Sequence, residues 1–144
     1  MVDQSNSANL SDTGKVRVLL VDDDELIQQM ATFFLADSRY LLIRARDVNA
    51  AMEVIRTQPP DIIITDAMMP GESGYSFIQK LKANPATVRI PIILWTSLED
   101  MSGRPMDSTA LAEFSMSKPF YRSDILQRLQ EAEELVRRRK AEMG

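Results

Sequence analysis

Apolar positions along the chain follow two alternating patterns. Short unbroken runs occur at Val18-Leu19-Leu20-Val21, Ile62-Ile63-Ile64 and Ile92-Ile93-Leu94-Trp95. Runs without polar alternation have the form of strands buried on both faces. Between them, apolar residues recur every three or four positions, as on one face of a helix. Ile27, Met30, Ala31 and Phe34 share such a face, as do Val48, Ala51, Met52 and Ile55, and then Phe77, Ile78 and Leu81. Ile125, Leu129, Ala132 and Val136 mark another. The pattern predicts strands over Val16 to Val21, Tyr40 to Ala45, Asp61 to Thr65, Pro91 to Trp95 and Phe114 to Ser117. It predicts helices over Glu25 to Ala36, from about Val48 to the stop at Pro59-Pro60, and over Gly74 to Ala83 before Asn84-Pro85. A short helix from about Pro105 to Ala112 and a last helix from near Ser123 complete the set. Asp47 is placed to cap its helix, and Asp24 reads as charge at a helix start.

Strand and helix alternate five times. That order argues one parallel sheet with helices on both faces, a doubly wound α/β domain. In such sheets ligands bind beyond the carboxyl ends of the strands. Those ends carry Asp22 and Asp23, Asp66, Thr96 and Lys118. Their arrival at neighbouring strand ends says more than any one of them.

Composition narrows the chemistry. The chain has 144 residues, a net charge of −4, no cysteine and no histidine. Disulfides, thiolate ligands, thiol catalysis, imidazole bases and the usual zinc ligands are therefore excluded. A metal here would be a hard cation held by oxygen, that is Mg²⁺, Mn²⁺ or Ca²⁺. The acidic balance argues against direct nucleic-acid binding. No run approaches the roughly 20 apolar residues of a membrane span, and the polar start is no secretory signal. The expected location is the cytoplasm.

With the first and third strands adjacent, about 4.8 Å apart, their terminal acids crowd together. Each like-charge pair at that separation costs about 3 kcal/mol at an effective dielectric near 20. A divalent cation and Lys118 would offset this. Asp66 would then be an attacking carboxylate, with Thr96 offering a hydroxyl to a phosphoryl oxygen.

These residues carry a family resemblance. The acid pair Asp22-Asp23, the pattern Asp66-x-x-Met69-Pro70-x-x-x-Gly74, then Thr96-Ser97 and Lys118-Pro119-Phe120 together resemble the receiver domains of two-component response regulators. The match runs from about Lys15 to Leu129. It implies a flavodoxin-like (βα)5 fold with strand order 2-1-3-4-5. It implies that Asp66 accepts a phosphoryl group from a sensor histidine kinase or a histidine phosphotransfer protein. It implies that Asp23, Asp66 and the Met68 backbone carbonyl bind Mg²⁺ (or Mn²⁺), with Asp22 close by through water. Thr96 and Lys118 would contact the phosphoryl group. The chain would catalyse only its own phosphorylation and dephosphorylation, and would signal through contact with a downstream protein.

Three positions depart from the family pattern. Where an aromatic usually sits three residues before Lys118, the chain has Ser115, with Phe114 one residue earlier. The switch region of Ser97, Phe114 and Ser115 is thus unusual, because one step along a strand reverses facing. Gly103 and Pro105 interrupt the fourth helical region. Met68 and Leu98 stand where polar groups often orient a hydrolytic water, which predicts slow phosphoryl loss. By default Met52, Met68 and Met69 are core fillers. Trp95 reads as core packing and, beside Thr96, as a fluorescence reporter.

The expected organisation is a loose arm over residues 1–14, a receiver domain over 15–130, and a C-terminal extension of the last helix over 131–144. The segment after Lys118 is expected to hold one helix and no DNA-binding output domain. The run Arg137-Arg138-Arg139-Lys140 reads as a solvated helix end, and the helix is long enough to form a homodimer stalk. Glu133 with Arg137 and Glu134 with Arg138 have favourable helical spacing. Two other readings compete. One is a pseudo-receiver that binds protein without phosphorylation. The other is a phosphohydrolase, disfavoured because Met68 stands where such enzymes carry a second acid.

Overall fold

The computed structural model describes residues 14–97, 111–118 and 121–143. The expected N-terminal arm, most of the short helix near Pro105, and the residues Leu98, Gly103, Pro105, Pro119 and Phe120 lie outside them. The five strands are β1 Val16–Val21, β2 Tyr40–Ala45, β3 Ile62–Asp66, β4 Ile92–Ser97 and β5 Phe114–Lys118. Among the described residues there are four helices: α1 Glu25–Leu35, α2 Val48–Thr57, α3 Gly74–Ala83 and α4 Arg122–Met143. Element bounds follow the pattern closely. β3 shifts one residue forward, so Asp66 is its last residue, and β4 runs on to Ser97.

All strand pairs are parallel, in the order β2-β1-β3-β4-β5. The sheet separates two cores. One holds Val18, Leu20, Ile62, Ile64, Ile93 and Trp95 against Ala31, Leu35 and the α4 stripe Ile125, Leu129, Ala132 and Val136. The other holds Leu19, Val21, Ile63, Ile92 and Leu94 against α2 and α3. β3 is buried at every position, which is why it shows no alternation.

The helix starts are capped as their residues dictate. Asp24 accepts from the Leu26 N–H, Asp47 from Ala50 and Ser73 from Ser76, each satisfying a donor that the first turn leaves open. Two methionines contradict the core-filler default. Met52 is exposed on α2, and Met68 is 42% exposed beside the strand end. Met69 does pack against a core, at its edge.

The last helix is more firmly placed than a solvated end would be. Glu133 is buried, and its Oε1 accepts from Arg39 Nε at 3.0 Å, from the Arg39 guanidinium terminus at 2.7 Å and from the Tyr40 hydroxyl at 3.1 Å. Arg137 reaches the other oxygen at 3.0 Å, while Glu134 also meets Arg137, at 3.6 Å. One turn on, Arg139 pairs with Glu113 at 3.0 Å and donates to the Arg89 carbonyl. Arg139 therefore fastens the end of α4 to the amino-terminal edge of the sheet, as Arg39 does through Glu133, while Arg137 bonds acids of its own helix.

Candidate functional site

Where β1 and β3 end, the chain turns sharply at both places. β1 delivers Asp22, fully buried, then Asp23, exposed. β3 delivers Asp66, 4% exposed. One carboxylate oxygen from each of Asp22, Asp23 and Asp66 lies within 4.8 Å of the others. Parallel pairing sets this: Leu20 pairs with Ile64 and Val21 with Thr65, so both strands end level.

Local sequence shapes each arm of the cluster. Asp22 Oδ1 accepts from the Asp24 N–H at 2.8 Å, closing a turn that hands the chain to the α1 cap. Asp66 Oδ1 accepts from the Met68 N–H at 3.4 Å, and the Thr65 hydroxyl donates to the Asp66 carbonyl. Gly71 supplies the positive φ of +83° that the following loop needs. Gly74 is required for a different reason. A Cβ there would stand 1.9 Å from the Asp66 carbonyl oxygen, and the Gly74 N–H donates to the Ala67 carbonyl at 2.9 Å. The spacing from Asp66 to Gly74 thus reflects close approach of α3's first residue to the site's own backbone.

Thr96 is buried at the end of β4. In register, Asp66 pairs with Trp95, Thr96 with Ser117, and Ser97 with Lys118. The backbone therefore brings all four expected strand ends to one edge of the sheet. The side chains of Ser97 and Lys118 lie outside the described residues. Phe114 pairs with Ile93 and packs against the α1–α4 core. Ser115 is exposed, and its carbonyl accepts from Arg128 Nε. The two residues face opposite sides, so Phe114 does not take the place of an aromatic at 115.

Two supports of the site were not visible as such in the pattern. Gln28 is buried, and its Nε2 donates to the carbonyls of Asp22 and Ala45 at 3.0 Å each. It holds the end of β1 against the end of β2. Its Oε1 has no hydrogen-bond partner among the described residues. Gln28, Ala31 and Leu35 are the buried residues of α1. A stripe drawn one position further round the helix would have flagged Gln28 as an inward polar group. The second is Trp95, whose Nε1 donates to Asp22 Oδ2 at 3.1 Å; aromatic core position and acid partner give no joint periodic signal.

Oxygen-only donors of this kind suit a hard divalent cation. The cluster of Asp22, Asp23 and Asp66 is one that a metal ion fits.

Comparison with known proteins agrees with this geometry. Residues 18–130 match the response regulator receiver domain family, and the chain belongs to it. It is 30% identical to the phosphate regulon transcriptional regulatory protein PhoB of Escherichia coli over 113 residues, 78% of this chain and 49% of PhoB. It is 34% identical to the response regulator PleD of Caulobacter vibrioides over 103 residues, 72% of this chain and 23% of PleD. The chain thus spans about half the length of PhoB, and less of PleD. Among solved structures it resembles the chemotaxis response regulator CheY4 of Vibrio cholerae, with a TM-score of 0.71 and 28% identity over 82% of this chain and 98% of that one. It also resembles the receiver domain of the sensor histidine kinase PA1611 of Pseudomonas aeruginosa, with a TM-score of 0.73 and 25% identity over 82% and 97%. That structure has a magnesium ion coordinated in its active-site cleft. The described helices include none long and apolar enough to cross a membrane.

Proposed function

We propose that the chain is a phospho-accepting receiver, with Asp66 as acceptor and Mg²⁺ as the cation, serving two-component or phosphorelay signalling. The observation that carries this is the convergence of Asp22, Asp23 and Asp66 at adjacent strand ends in a member of the receiver family. An Asp66 carboxylate oxygen attacks the phosphorus of a partner's phosphohistidine. The phosphorus–nitrogen bond breaks and an acyl phosphate forms on Asp66. Asp23, Asp66 and the Met68 carbonyl hold the cation, with Asp22 beside it. When bound, that ion neutralises phosphoryl oxygens and the acids that surround them. Thr96 and Lys118, at the ends of β4 and β5, hold the transferred group.

Met68 supports slow hydrolysis, because its exposed thioether cannot orient a water as an amide would. The chain then acts only on its own phosphoryl group and signals through protein contacts in the cytoplasm. The bonds of Arg137 and Arg139 to Glu133 and Glu113 favour a structural use of these cations over a nucleic-acid one. Exposed Leu26, in the first turn of α1 directly after the acid loop, supplies apolar surface there for a kinase or phosphotransfer partner.

A second reading, the phosphorylation-independent pseudo-receiver, is favoured by one observation: Ser115 faces out while Phe114 packs on the opposite side. Incubation with acetyl phosphate and MgCl₂, read by intact mass, separates the two. Phosphoryl mass on the wild type and none on Asp66→Asn is expected. Equal masses on both proteins, or none on either, would leave the pseudo-receiver standing. Decay of the trapped phosphoprotein should be faster in Met68→Asn than in the wild type.

A further inference from the structure

Trp95 is the chain's single tryptophan, and it is completely buried. It sits opposite Asp66 on β3 and Met116 on β5. Its ring belongs to the α1–α4 core with Leu20, Ile64, Ile93 and Ile125. The indole also does something that a core aliphatic at this place would not. Nε1 lies 3.1 Å from Asp22 Oδ2, across 73 residues of sequence. β4 and β1 are not neighbours, since β3 runs between them. The ring therefore spans the end of β3, alongside the position of Asp66, to reach the farther acid.

Asp22 is gripped at both oxygens. Oδ1 accepts from the Asp24 N–H at 2.8 Å and Oδ2 from the indole. A carboxylate beside two others gains by rotating away from them, since like charges repel. Donors fixed at both oxygens remove that freedom. A buried indole N–H in turn requires an acceptor, and here the acceptor is a carboxylate of the acid cluster.

We propose that Trp95 is a positioning residue for the cation site, its indole N–H orienting the Asp22 carboxylate toward Asp23 and Asp66 and so setting the affinity of the cluster for Mg²⁺; this rests on the reading of the three acids as a cation site. Partners hydrogen-bonded to a metal's ligands typically change its affinity by about 10–100-fold when removed. Because Thr96 follows Trp95 on the same strand, occupancy of the acid cluster and placement of the Thr96 hydroxyl are joined through adjacent residues of β4.

The test is Mg²⁺ titrated into the full chain, followed by calorimetry and by Trp95 emission. In the wild type, heat and emission shift with one midpoint. Trp95→Phe binds Mg²⁺ about 10-fold more weakly. Asp22→Asn also weakens binding, and adding Trp95→Phe to it costs less than about twofold more, because both act on one group. A purely packing role for Trp95 predicts lower thermal stability with an unchanged Kd, and that result overturns the proposal. Equal losses in both backgrounds overturn it as well. If Trp95→Phe does not fold, wild-type emission decides. A Mg²⁺-dependent shift that disappears in Asp22→Asn supports the role, and constant emission under a measured heat of binding overturns it. A wild type with neither heat nor emission change sinks the cation reading itself, and the positioning role falls with it.

Discussion

Both ends of the sheet carry buried acids, and the chain treats them in opposite ways. At the amino-terminal edge Glu133 meets Arg39 and Arg137, while Glu113 meets Lys82 and Arg139 and accepts from the Ile92 N–H. Each carboxylate there answers a charge brought by another helix or strand. At the carboxyl edge Asp22, Asp23 and Asp66 are gathered against one another. Asp22 accepts from a peptide N–H and an indole, and Asp66 from a peptide N–H. The first arrangement holds elements together. The second concentrates negative charge where a cation and a phosphoryl group would be received.

The largest expected effect comes from crowding the reactive edge. Gly74→Ala places a methyl group against the Asp66 carbonyl. Stability should fall by about 3 kcal/mol, the upper part of the usual overpacking range, measured by urea unfolding. If Gly74→Ala were neutral, α3 would not be what positions the Asp66 turn.

Charge removal should then act with opposite signs at the two edges. Glu133→Ala deletes the acceptor of Arg39, Arg137 and the Tyr40 hydroxyl, and should cost about 2 kcal/mol. The loss is smaller than for most buried pairs because the half-exposed arginines can rehydrate. Asp66→Asn should do the reverse. In EDTA it should stabilise the fold by about 1.5 kcal/mol, by relieving repulsion from Asp22 and Asp23. Saturating Mg²⁺ should close that gap, because an ion that binds the folded wild type stabilises it by mass action. Destabilisation by Asp66→Asn in EDTA would break the contrast between the edges.

The smallest effect concerns Glu72, an acid that lies in the loop after β3 and pairs with Lys80. Glu72 is held below the usual carboxylate range chiefly by the Lys80 hydrogen bond, then by Ser76. A lowered folded-state pKa means that its stabilisation is present above the ordinary value of 4.5 and is lost as pH falls through the lowered one. Glu72→Gln should therefore cost less than about 1 kcal/mol at neutral pH. Thermal melts should show the difference vanishing as acid protonates the wild type.

The fold was legible wherever one period decided the outcome. β1, β2 and α3 have the bounds that their apolar pattern predicts, and the inward stripe of α4 is buried at all four named positions. The strand-end acids were legible because parallel pairing converts a shared distance from strand start into a shared edge. What stayed hidden depended on contacts between unlike elements. Gln28 is polar on an inward face and is tolerated because its amide holds the Asp22 and Ala45 carbonyls. The Trp95–Asp22 bond crosses an intervening strand, which no local spacing encodes. Met52 followed helical spacing and still lies outside the core, because the stripe of α2 is wider than the surface it covers. The Glu133–Arg137 pair was readable from helical spacing, whereas Arg139 found Glu113 on another part of the chain, a pairing fixed only by tertiary structure.

β5 forms one lateral margin of the sheet, with Phe114, Met116 and Lys118 alternating with Ser115 and Ser117. Both serines are exposed. A margin strand offers unpaired peptide groups to any other extended chain, and greasy outward side chains would strengthen that invitation. Two small hydroxyls on five residues make this border short and poorly adhesive. Replacing Ser115 with tyrosine to restore the family's aromatic would thus alter more than switching: it would lengthen the sticky portion of the border and raise the tendency of concentrated protein to self-associate.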